Sequence, residues 1–388
     1  MDFQLTAEQR QLKAVVRELA EKEFAPKAAA WDETGTADLG EIAAHLRGIG
    51  VLGMTIPEEY GGMGRPFLDF ILLLEELARV AYPPAFVLLS TCSGPVSIIL
   101  HLASDEQRRR YLPRLVRGEM FCALGMTEAN AGSAASDIAT TARLDGDHYV
   151  LDGHKLFVGG GGQCELYVIF ARFGQVPGPR GVGALILEKG TPGFTFGQQI
   201  QFMGTRGTPR QELLFNNCRV PAENVLASEG GFGRLMNAFN YERIHNATLS
   251  LGLAQGAFDA TCEYVKQRKQ FGRDLCEFQG VQWMIADMAT ELAAARLLIY
   301  RAAANADATG HADPLETSLA KRYASEMSVK VCDTALQLHG AYGYSKEFPL
   351  ERIYRDARGI AIATGTVQIH KNNIAAHVLG RKFNQRTP

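Results

Sequence analysis

Residues 126–137 read Met126-Thr-Glu-Ala-Asn-Ala-Gly-Ser-Ala-Ala-Ser-Asp137, and they stand where helix-like sequence gives way to strand-like sequence. Small and hydroxyl side chains let a backbone run close to a ligand and present N–H and O–H groups to it. Taken alone, this composition fits a solvated loop as well as a binding loop. The sequence on either side is needed to choose between them.

On the N-terminal side, hydrophobic residues recur at helical spacing. Thr6 and Gln9 match a capping box, and Leu12, Val16 and Leu19 then follow at intervals of three or four. Segments 41–46, 67–80 and 105–116 show the same periodicity and are separated by Gly and Pro. The sequence therefore predicts an α-helical domain over residues 1–121.

On the C-terminal side, the sequence first becomes strand-like. Asp145-Gly146 and Asp152-Gly153 predict tight turns, and segments 166–170, 182–187 and 212–215 are rich in β-forming residues. These features predict a β domain over residues 122–228. Long amphipathic segments then return at 254–265, 281–304 and 315–338, which predicts a helical bundle over residues 229–388.

The composition excludes several classes of function. A net charge of -2 gives no reason to expect nucleic acid or an anionic membrane as partner. Seven scattered cysteines without a C-x-x-C pair, and nine histidines without H-E-x-x-H spacing, predict no metal site. We expect a reducing compartment, because cysteines persist unpaired there.

No targeting signal is recognised in the sequence, and this leads to an expectation about the location of the protein. No basic and apolar signal region is visible in the opening Met-Asp-Phe-Gln-Leu-Thr. Apolar stretches such as 70–74 are too short and too interrupted to span a bilayer. We therefore expect no membrane insertion, and a cytoplasmic protein of bacteria or a protein of an organelle matrix.

One motif is misleading. Gly48-Ile-Gly50-Val-Leu-Gly53 matches G-x-G-x-x-G, the dinucleotide-binding fingerprint. That fingerprint binds a pyrophosphate only between a strand and the helix that follows it. Here it follows the helical run 42–47 and leads into a Pro-containing loop, so we do not expect a phosphate site.

Further motifs follow the loop at 126–137 in order along the chain. They are Lys155-Leu-Phe-Val-Gly-Gly-Gly-Gly162, Arg268-Lys-Gln-Phe271-Gly-Arg with Gln279, Gln337-Leu-His-Gly-Ala-Tyr-Gly-Tyr344, Tyr354-Arg-Asp356 and Thr364-Gly-Thr-Val-Gln-Ile369. With this set, the sequence resembles the acyl-CoA dehydrogenase family over nearly its whole length. The resemblance implies an α+β fold with an N-terminal helical domain, a middle β-barrel-like domain and a C-terminal four-helix bundle.

The resemblance also implies an FAD cofactor and its contacts. In the family the loop lies over the flavin, which places Thr127 near the pyrimidine ring and Ser133 near the pyrophosphate and substrate. Residues 157–159 would line one flank of the isoalloxazine. The predicted cofactor-binding residues are Leu124, Met126, Thr127, Ser133, Phe157, Val158, Gly159, Arg268, Phe271, Phe278, Gln279, Gln337, Gly340, Ala341, Thr366 and Gln368.

Part of this set implies an oligomer. Arg268, Phe271 and Gln279 would reach the FAD of a neighbouring subunit, and residues 337–341 would contact it as well. Thr366 and Gln368 would hold its adenosine end. The guanidinium of an arginine suits a diphosphate because its fork matches two oxygens at once. Similar enzymes are usually tetramers built as a dimer of dimers, so we expect a homo-oligomer.

Three positions depart from the family pattern beside the flavin. Phe157 stands where the family has Trp, which is a mild change. Gly159 stands where a hydroxyl residue contacts the flavin N5 region, so that hydrogen bond is lost. Ala129 replaces the proline of the loop, which should loosen it slightly.

The largest departure concerns the catalytic base. Many members carry it in a Glu-Gly-Thr tripeptide, but here residues 364–366 read Thr-Gly-Thr. Isovaleryl-CoA and long-chain members instead place the base directly before an Arg, as Glu242 precedes Arg243 here. An ordinary surface ion pair between Glu242 and Arg243 is unfavourable, because adjacent residues on a helix do not face each other. We expect Glu242 to be the base and its pKa to rise when apolar substrate excludes solvent; the predicted substrate-binding residues are Ser133, Tyr241, Arg243, Thr364 and Gly365.

The predicted function is α,β-dehydrogenation of an acyl thioester. Glu242 would take the α-proton, hydride would pass to flavin N5, and electrons would leave to an electron-transfer flavoprotein. Three alternatives stay open: a non-redox desulfinase-type lyase, whose members carry a similar N-A-G-S-A-A-S loop; an enzyme that acts on acyl carrier protein thioesters; and a FAD-binding partner subunit without turnover. Against the desulfinase, segment 85–89 is apolar where an anion-binding Arg is wanted.

Overall fold

The N-terminal part of the molecule is helical, as predicted. The computed structural model describes residues 4–174 and 176–383. Its capping box is present, because the Gln9 N–H donates to Thr6 Oγ1 at 3.1 Å and the Thr6 N–H donates to Gln9 Oε1 at 3.0 Å. The helices are α1 (Ala7–Leu19), α2 (Ala28–Thr34), α3 (Leu39–Gly48), α4 (Phe67–Val80), α5 (Tyr82–Cys92), α6 (Pro95–Leu102) and α7 (Asp105–Val116).

The middle part is an eight-stranded mixed sheet. The strands are β1 (Cys122–Gly125), β2 (Thr141–Asp145), β3 (His148–Gly159), β4 (Leu166–Phe173), β5 (Val182–Glu188), β6 (Phe194–Ile200), β7 (Arg210–Pro221) and β8 (Val225–Ala227). Neighbouring strands in the sheet follow the order β6-β7-β3-β2-β4-β5-β8, and β1 pairs in parallel with β4. Strands β3 and β7 lie side by side and antiparallel, which matters for the site below.

One predicted turn is wrong. Asp145-Gly146 does connect β2 to β3, but Asp152-Gly153 lies inside β3 at a shift in its register with β7. Gly153 has φ of 139°, and a Cβ there would lie 2.7 Å from Thr140 Cα. Glycine is therefore required for close approach of two strands, a role that resembles a turn signal in the sequence.

The C-terminal part is helical again and confirms the predicted order of helical, β and helical regions. Helix α8 begins at Phe232, well before the predicted amphipathic segment 254–265. Its first half is buried on nearly all sides and therefore shows no amphipathic period in the sequence. The elements are α8 (Phe232–Gln267), β9 (Lys269–Gln270), β10 (Arg273–Asp274), α9 (Gln279–Thr309), α10 (Pro314–His339), α11 (Ala341–Tyr344), α12 (Leu350–Ile360) and α13 (Val367–Val378).

Buried carboxylates on α4 join the two helical regions. Glu75 is 2% exposed, and its Oε2 accepts from Lys13 Nζ of α1 at 3.1 Å. Its Oε1 accepts from Arg296 Nη2 of α9 at 2.9 Å. The cationic partners lower the pKa of Glu75 against the desolvation that opposes its charge. The N-terminal helices are thereby fixed against α8 and α9.

One apolar segment is long enough to cross a membrane by length and composition. It is Tyr82–Leu102, which comprises α5 and α6, and 83% of it is buried inside the molecule. Core helices of globular proteins pass the same test, so this is weak support for a membrane span. The expectation that the apolar stretches are too short therefore fails for this segment, whose composition follows from its place in the core.

A buried ion pair fixes the loop that follows β1. Lys155 of β3 is fully buried, and its Nζ donates to Glu128 Oε1 at 2.5 Å and to the Met126 carbonyl at 3.3 Å. Glu128 also accepts from the backbone N–H groups of Ala139 and Thr140. The loop 126–140 is thus held at both ends against β3.

We expect Lys155→Met to destabilise the protein by about 3–5 kcal/mol, because it leaves a buried carboxylate without its cation. The measurement is the urea-unfolding midpoint of the purified protein. The control is Arg219→Ala, which breaks an exposed pair with Asp145 at 2.7 Å and should change stability by about 0–1 kcal/mol. Equal midpoints for the two variants would show that the buried pair does not hold the loop.

Candidate functional site

Glu242 lies on α8 and points an unpartnered oxygen into the molecule. Within the described part of the chain, its buried Oε2 has no hydrogen-bond partner. A Cβ on Gly94, in the turn between α5 and α6, would lie 3.5 Å from this oxygen. Desolvation by burial raises the pKa of Glu242 to about 8, and the charge of Arg243 opposes the rise. Such a carboxylate is a stronger base than a solvated one.

Arg243 does not pair with Glu242. Its Nη1 donates to Asn240 Oδ1 at 2.8 Å, and its guanidinium lies 5.3 Å from the centre of the Phe239 ring. Burial lowers the pKa of Arg243, and its Nε has no partner among residues 4–174 and 176–383. The two neighbouring side chains therefore serve different parts of the site.

Thr364 and Gly365 lie just before α13 in strained backbone. Thr364 has φ of 58°, an uncommon value for a β-branched residue, and its hydroxyl donates to the Ala363 carbonyl at 2.8 Å. A Cβ on Gly365 would lie 3.2 Å from His370 Nε2. Burial, followed by the charge of Arg243, lowers the pKa of His370 to about 3. His370 Nδ1 lies 3.3 Å from Ser318 Oγ of α10, so this segment packs against α10.

The loop 126–137 lies along β3. The Leu156 N–H donates to the Thr127 carbonyl at 2.8 Å. At the next residue, Phe157 has φ of 62° at a register shift in β3, and its side chain is 46% exposed. A large aromatic residue held outward in strained backbone is a feature of binding sites. Val158 is buried, whereas Ser133 lies exposed at the far end of the loop.

Gly159 has an unusual neighbour. Its partner across the sheet is Arg210 of β7, and a Cβ on Gly159 would lie 2.6 Å from Arg210 Nη1. The buried Arg210 guanidinium donates to three neutral hydroxyl groups. The sequence analysis missed this residue, because only the strand register brings it to Gly159.

The predicted contacts to a neighbouring subunit gather on the C-terminal helices. Phe271, in the turn between β9 and β10, is 94% exposed, and its ring lies 6.3 Å from that of Phe278. The Arg268 guanidinium lies 5.7 Å from the Tyr342 ring, which brings the first motif to the segment that contains Gly340 and Ala341. Gln279, Gln337 and Gln368 are also exposed.

Thr366 has a local role as well. It is the N-cap residue of α13, and its Oγ1 accepts from the Ile369 N–H at 3.4 Å. The predicted site residues thus lie on β3, on α8 at Glu242, just before α13, and on the outer surface around Arg268.

Phe157 and Arg210 have the chemistry to fit a flavin. Phe157 presents an aromatic ring for an apolar ring system, and Arg210 presents a buried cation that no carboxylate of the described chain accompanies. A planar, electron-accepting ring that gains negative charge matches both. Among the described residues, no group of three or more His, Cys, Asp or Glu side chains is placed to hold a metal ion.

Comparisons with known proteins identify the family of the chain. Three family models match in order: acyl-CoA dehydrogenase N-terminal domain over residues 6–119, middle domain over 123–218 and C-terminal domain over 229–379. Acryloyl-CoA reductase (NADH) of Anaerotignum propionicum is 42% identical over 384 residues, which cover 98% of this chain and 97% of that protein.

Two further proteins extend the similarity. 3-Sulfinopropanoyl-CoA desulfinase of Paraburkholderia xenovorans is 40% identical over 389 residues, which cover 99% of each chain. The solved structure of butyryl-CoA dehydrogenase from Megasphaera elsdenii has a TM-score of 0.93 and 36% identity, covering 98% of this chain and 100% of that one. The chain therefore belongs to the acyl-CoA dehydrogenase family, and it is a FAD-dependent enzyme of that family.

Proposed function

We propose that this enzyme dehydrogenates a short acyl-CoA at its α and β carbons, with Glu242 as the base. The observation that carries the proposal is the buried Oε2 of Glu242, which has no partner in the described chain and lies against Gly94. An unpartnered buried carboxylate destabilises a fold unless a ligand uses it. Thr364, at the alternative position, has a hydroxyl that cannot accept a proton from a carbon acid unaided.

The proposed chemistry divides between the cofactor and the chain. FAD, when bound, supplies the acceptor for the two electrons that leave with the β-hydrogen. Glu242 Oε2 receives the α-proton and holds it as a neutral carboxyl, a state that its burial favours. Tyr241 and Thr364 would line the space for the acyl chain. Arg243 is hydrogen-bonded to Asn240 and not to Glu242, so it would act on the Glu242 carboxylate only through its positive charge.

The relatives support a short acyl chain. By their names, the three proteins above act on acryloyl, sulfinopropanoyl and butyryl thioesters of coenzyme A. We therefore propose coenzyme A rather than a carrier protein as the carrier. We propose an electron-transfer flavoprotein as the electron acceptor, and the cytoplasm or an organelle matrix as the location.

The surface supports a homo-oligomer. Phe271, Trp283 and Tyr344 are 94%, 62% and 88% exposed, and all three lie on the C-terminal helical region. Large apolar side chains gathered on one part of a surface commonly mark a contact between chains. We propose that this face meets another subunit, so that Arg268 and its neighbours approach the cofactor of that subunit.

Glu242→Gln should lower the rate of flavin reduction by an acyl-CoA at least about a hundredfold, because the variant keeps shape and hydrogen bonding but accepts no proton. Anaerobic stopped-flow spectroscopy of the bound FAD measures this rate. Thr364→Ala is the matched control and should have a far smaller effect. The exchange Glu242→Thr with Thr364→Glu should recover part of the activity.

A full rate in Glu242→Gln would contradict the proposal. The base would then lie elsewhere, or the reaction would need none. Sulfinate loss, as catalysed by a desulfinase-type lyase, is a reaction that needs no catalytic base. Sulfite release from 3-sulfinopropanoyl-CoA, measured beside flavin reduction by butyryl-CoA, separates these two outcomes.

The pH dependence should follow Glu242. The carboxylate form is required, so kcat/KM should rise with pH and level off above about 8. The pKa of Glu242 in the folded state lies above the ordinary carboxyl value of 4.5, so the native state holds an extra proton between about pH 4.5 and pH 8. Stability should therefore fall with rising pH by up to about 1.4 kcal/mol per unit in that interval. Denaturation curves of wild type and Glu242→Gln, whose difference isolates this group, check the slope; parallel curves would contradict the buried pKa.

Arg268→Ala should weaken FAD retention and loosen the oligomer together, since the residue is proposed to reach the cofactor of a neighbour. Gel filtration with an absorbance ratio for flavin measures both at once. Lys266→Ala, which removes an exposed pair with Glu263 near the same helix end, is the control and should change neither. A stable monomer that retains FAD would refute the shared site.

A further inference from the structure

Arg210 occupies the space of a missing side chain at residue 159. Gly159 and Arg210 are directly paired across β3 and β7, and side chains of such a pair project from the same face of a sheet. A Cβ on Gly159 would lie 2.6 Å from Arg210 Nη1, 3.3 Å from its Cζ and 3.6 Å from Phe86 Cε2. A hydroxyl side chain at 159 and the present guanidinium position are therefore mutually exclusive.

The guanidinium is buried among neutral groups. Arg210 is 9% exposed, and its Nη2 donates to Tyr82 OH and to Thr205 Oγ1, each at 3.1 Å, while Nη1 donates to Thr208 Oγ1 at 3.3 Å. These bonds use three of its five N–H donors. Its Cζ also lies 5.3 Å and 5.7 Å from the ring centres of Tyr82 and Phe202.

The pocket around this cation is built rather than incidental. Thr205 is held at φ of 51°, and its N–H donates to Asp356 Oδ1 of α12. The buried Lys155 sits beside Glu128. The buried Lys321 has only neutral acceptors, and burial lowers its pKa to about 7, so that it can lose its charge. An arginine cannot lose its charge in this way. Arg210 forms no ion pair within the described chain, and a buried cation without an anion is unfavourable. The balancing negative charge is therefore expected to come from a ligand.

We propose that Arg210 replaces the missing hydroxyl of residue 159 at the edge of the flavin and stabilises the negative charge that reduction places on the ring. This inference rests on the proposed function for the position of the flavin. The Phe202 ring links the two elements, because it lies 5.7 Å from the ring of Phe157, which is predicted to line the isoalloxazine, and 5.7 Å from the Arg210 guanidinium. A cation at that edge favours the reduced cofactor, so the midpoint potential rises.

The first test measures the midpoint potential of bound FAD by equilibration with a redox dye, with no substrate present. Arg210→Gln should lower the ratio of reduced to oxidised flavin at least about tenfold at a fixed potential, which equals about 30 mV for a two-electron couple. Arg210→Lys keeps the charge and should retain most of the potential. Arg206→Gln, whose parent side chain donates to backbone carbonyls of α2, is the control and should leave the potential unchanged.

The second test uses the steric exclusion. Gly159→Ser alone should lose FAD retention or stability, because its Cβ has no room beside Nη1. Adding Arg210→Thr should recover FAD retention while keeping the low potential of Arg210→Gln. If the double variant binds FAD no better than Gly159→Ser, the proposed exchange of the two side chains is wrong.

The outcomes separate a structural role from the proposed one. If Arg210→Gln lowers stability but not the potential, the arginine only supports the fold and the proposal is overturned. If the potential is unchanged and turnover falls only for acyl-CoA substrates with a second acidic group, the cation binds substrate, which also overturns it. Failure of the base is recognised independently, since Glu242→Gln changes reduction rate while the dye-equilibrated potential reports on Arg210.

Discussion

The buried pair of Lys155 and Glu128 is the interaction on which the site depends most. It joins the loop that carries Thr127 and Ser133 to the strand that carries Phe157 and Gly159. Both charges are removed from water, so each is stable only in the presence of the other. The loop and strand therefore form one unit. The replacement of the usual proline by Ala129 is tolerated because the adjacent Glu128 accepts hydrogen bonds from three donors and so holds the loop in place.

Several unfavourable features occur among the candidate site residues. Phe157 and Thr364 both have left-handed backbone, Glu242 has a buried oxygen without a partner, and Arg210 is a buried cation among neutral groups. Each of them lowers the stability of the protein alone. Phe157 and Arg210 lie on the paired strands β3 and β7, and unfavourable features of this kind are typical of a place where a ligand completes the interactions.

The sequence predicted the larger organisation well, because helical and strand periodicities differ clearly and the motif set is specific to one family. It predicted Glu242 from its neighbour Arg243, although not the burial that shifts its pKa. The sequence placed Glu242 on a helix, but it showed an amphipathic segment only from residue 254, because the first half of α8 is buried on nearly all sides and has no polar face to set a period. The contact of Arg210 with Gly159 was beyond reach, because residues 51 positions apart are paired only by strand register. Gly153 misled the analysis of turns, because close strand packing selects the same residue as a turn does.

Helix α8 has a consequence for how such chains can change over generations. It carries Glu242 in its third turn and ends at Gln267, beside Arg268. Over the 26 residue steps from Glu242 to Arg268, an α-helix rises roughly 39 Å and turns about 100° per residue. A single inserted or deleted codon in this interval would rotate one end relative to the other and misdirect one of the two side chains. Substitutions can accumulate along α8, but its length is fixed, so alignments of related chains should contain no gap there.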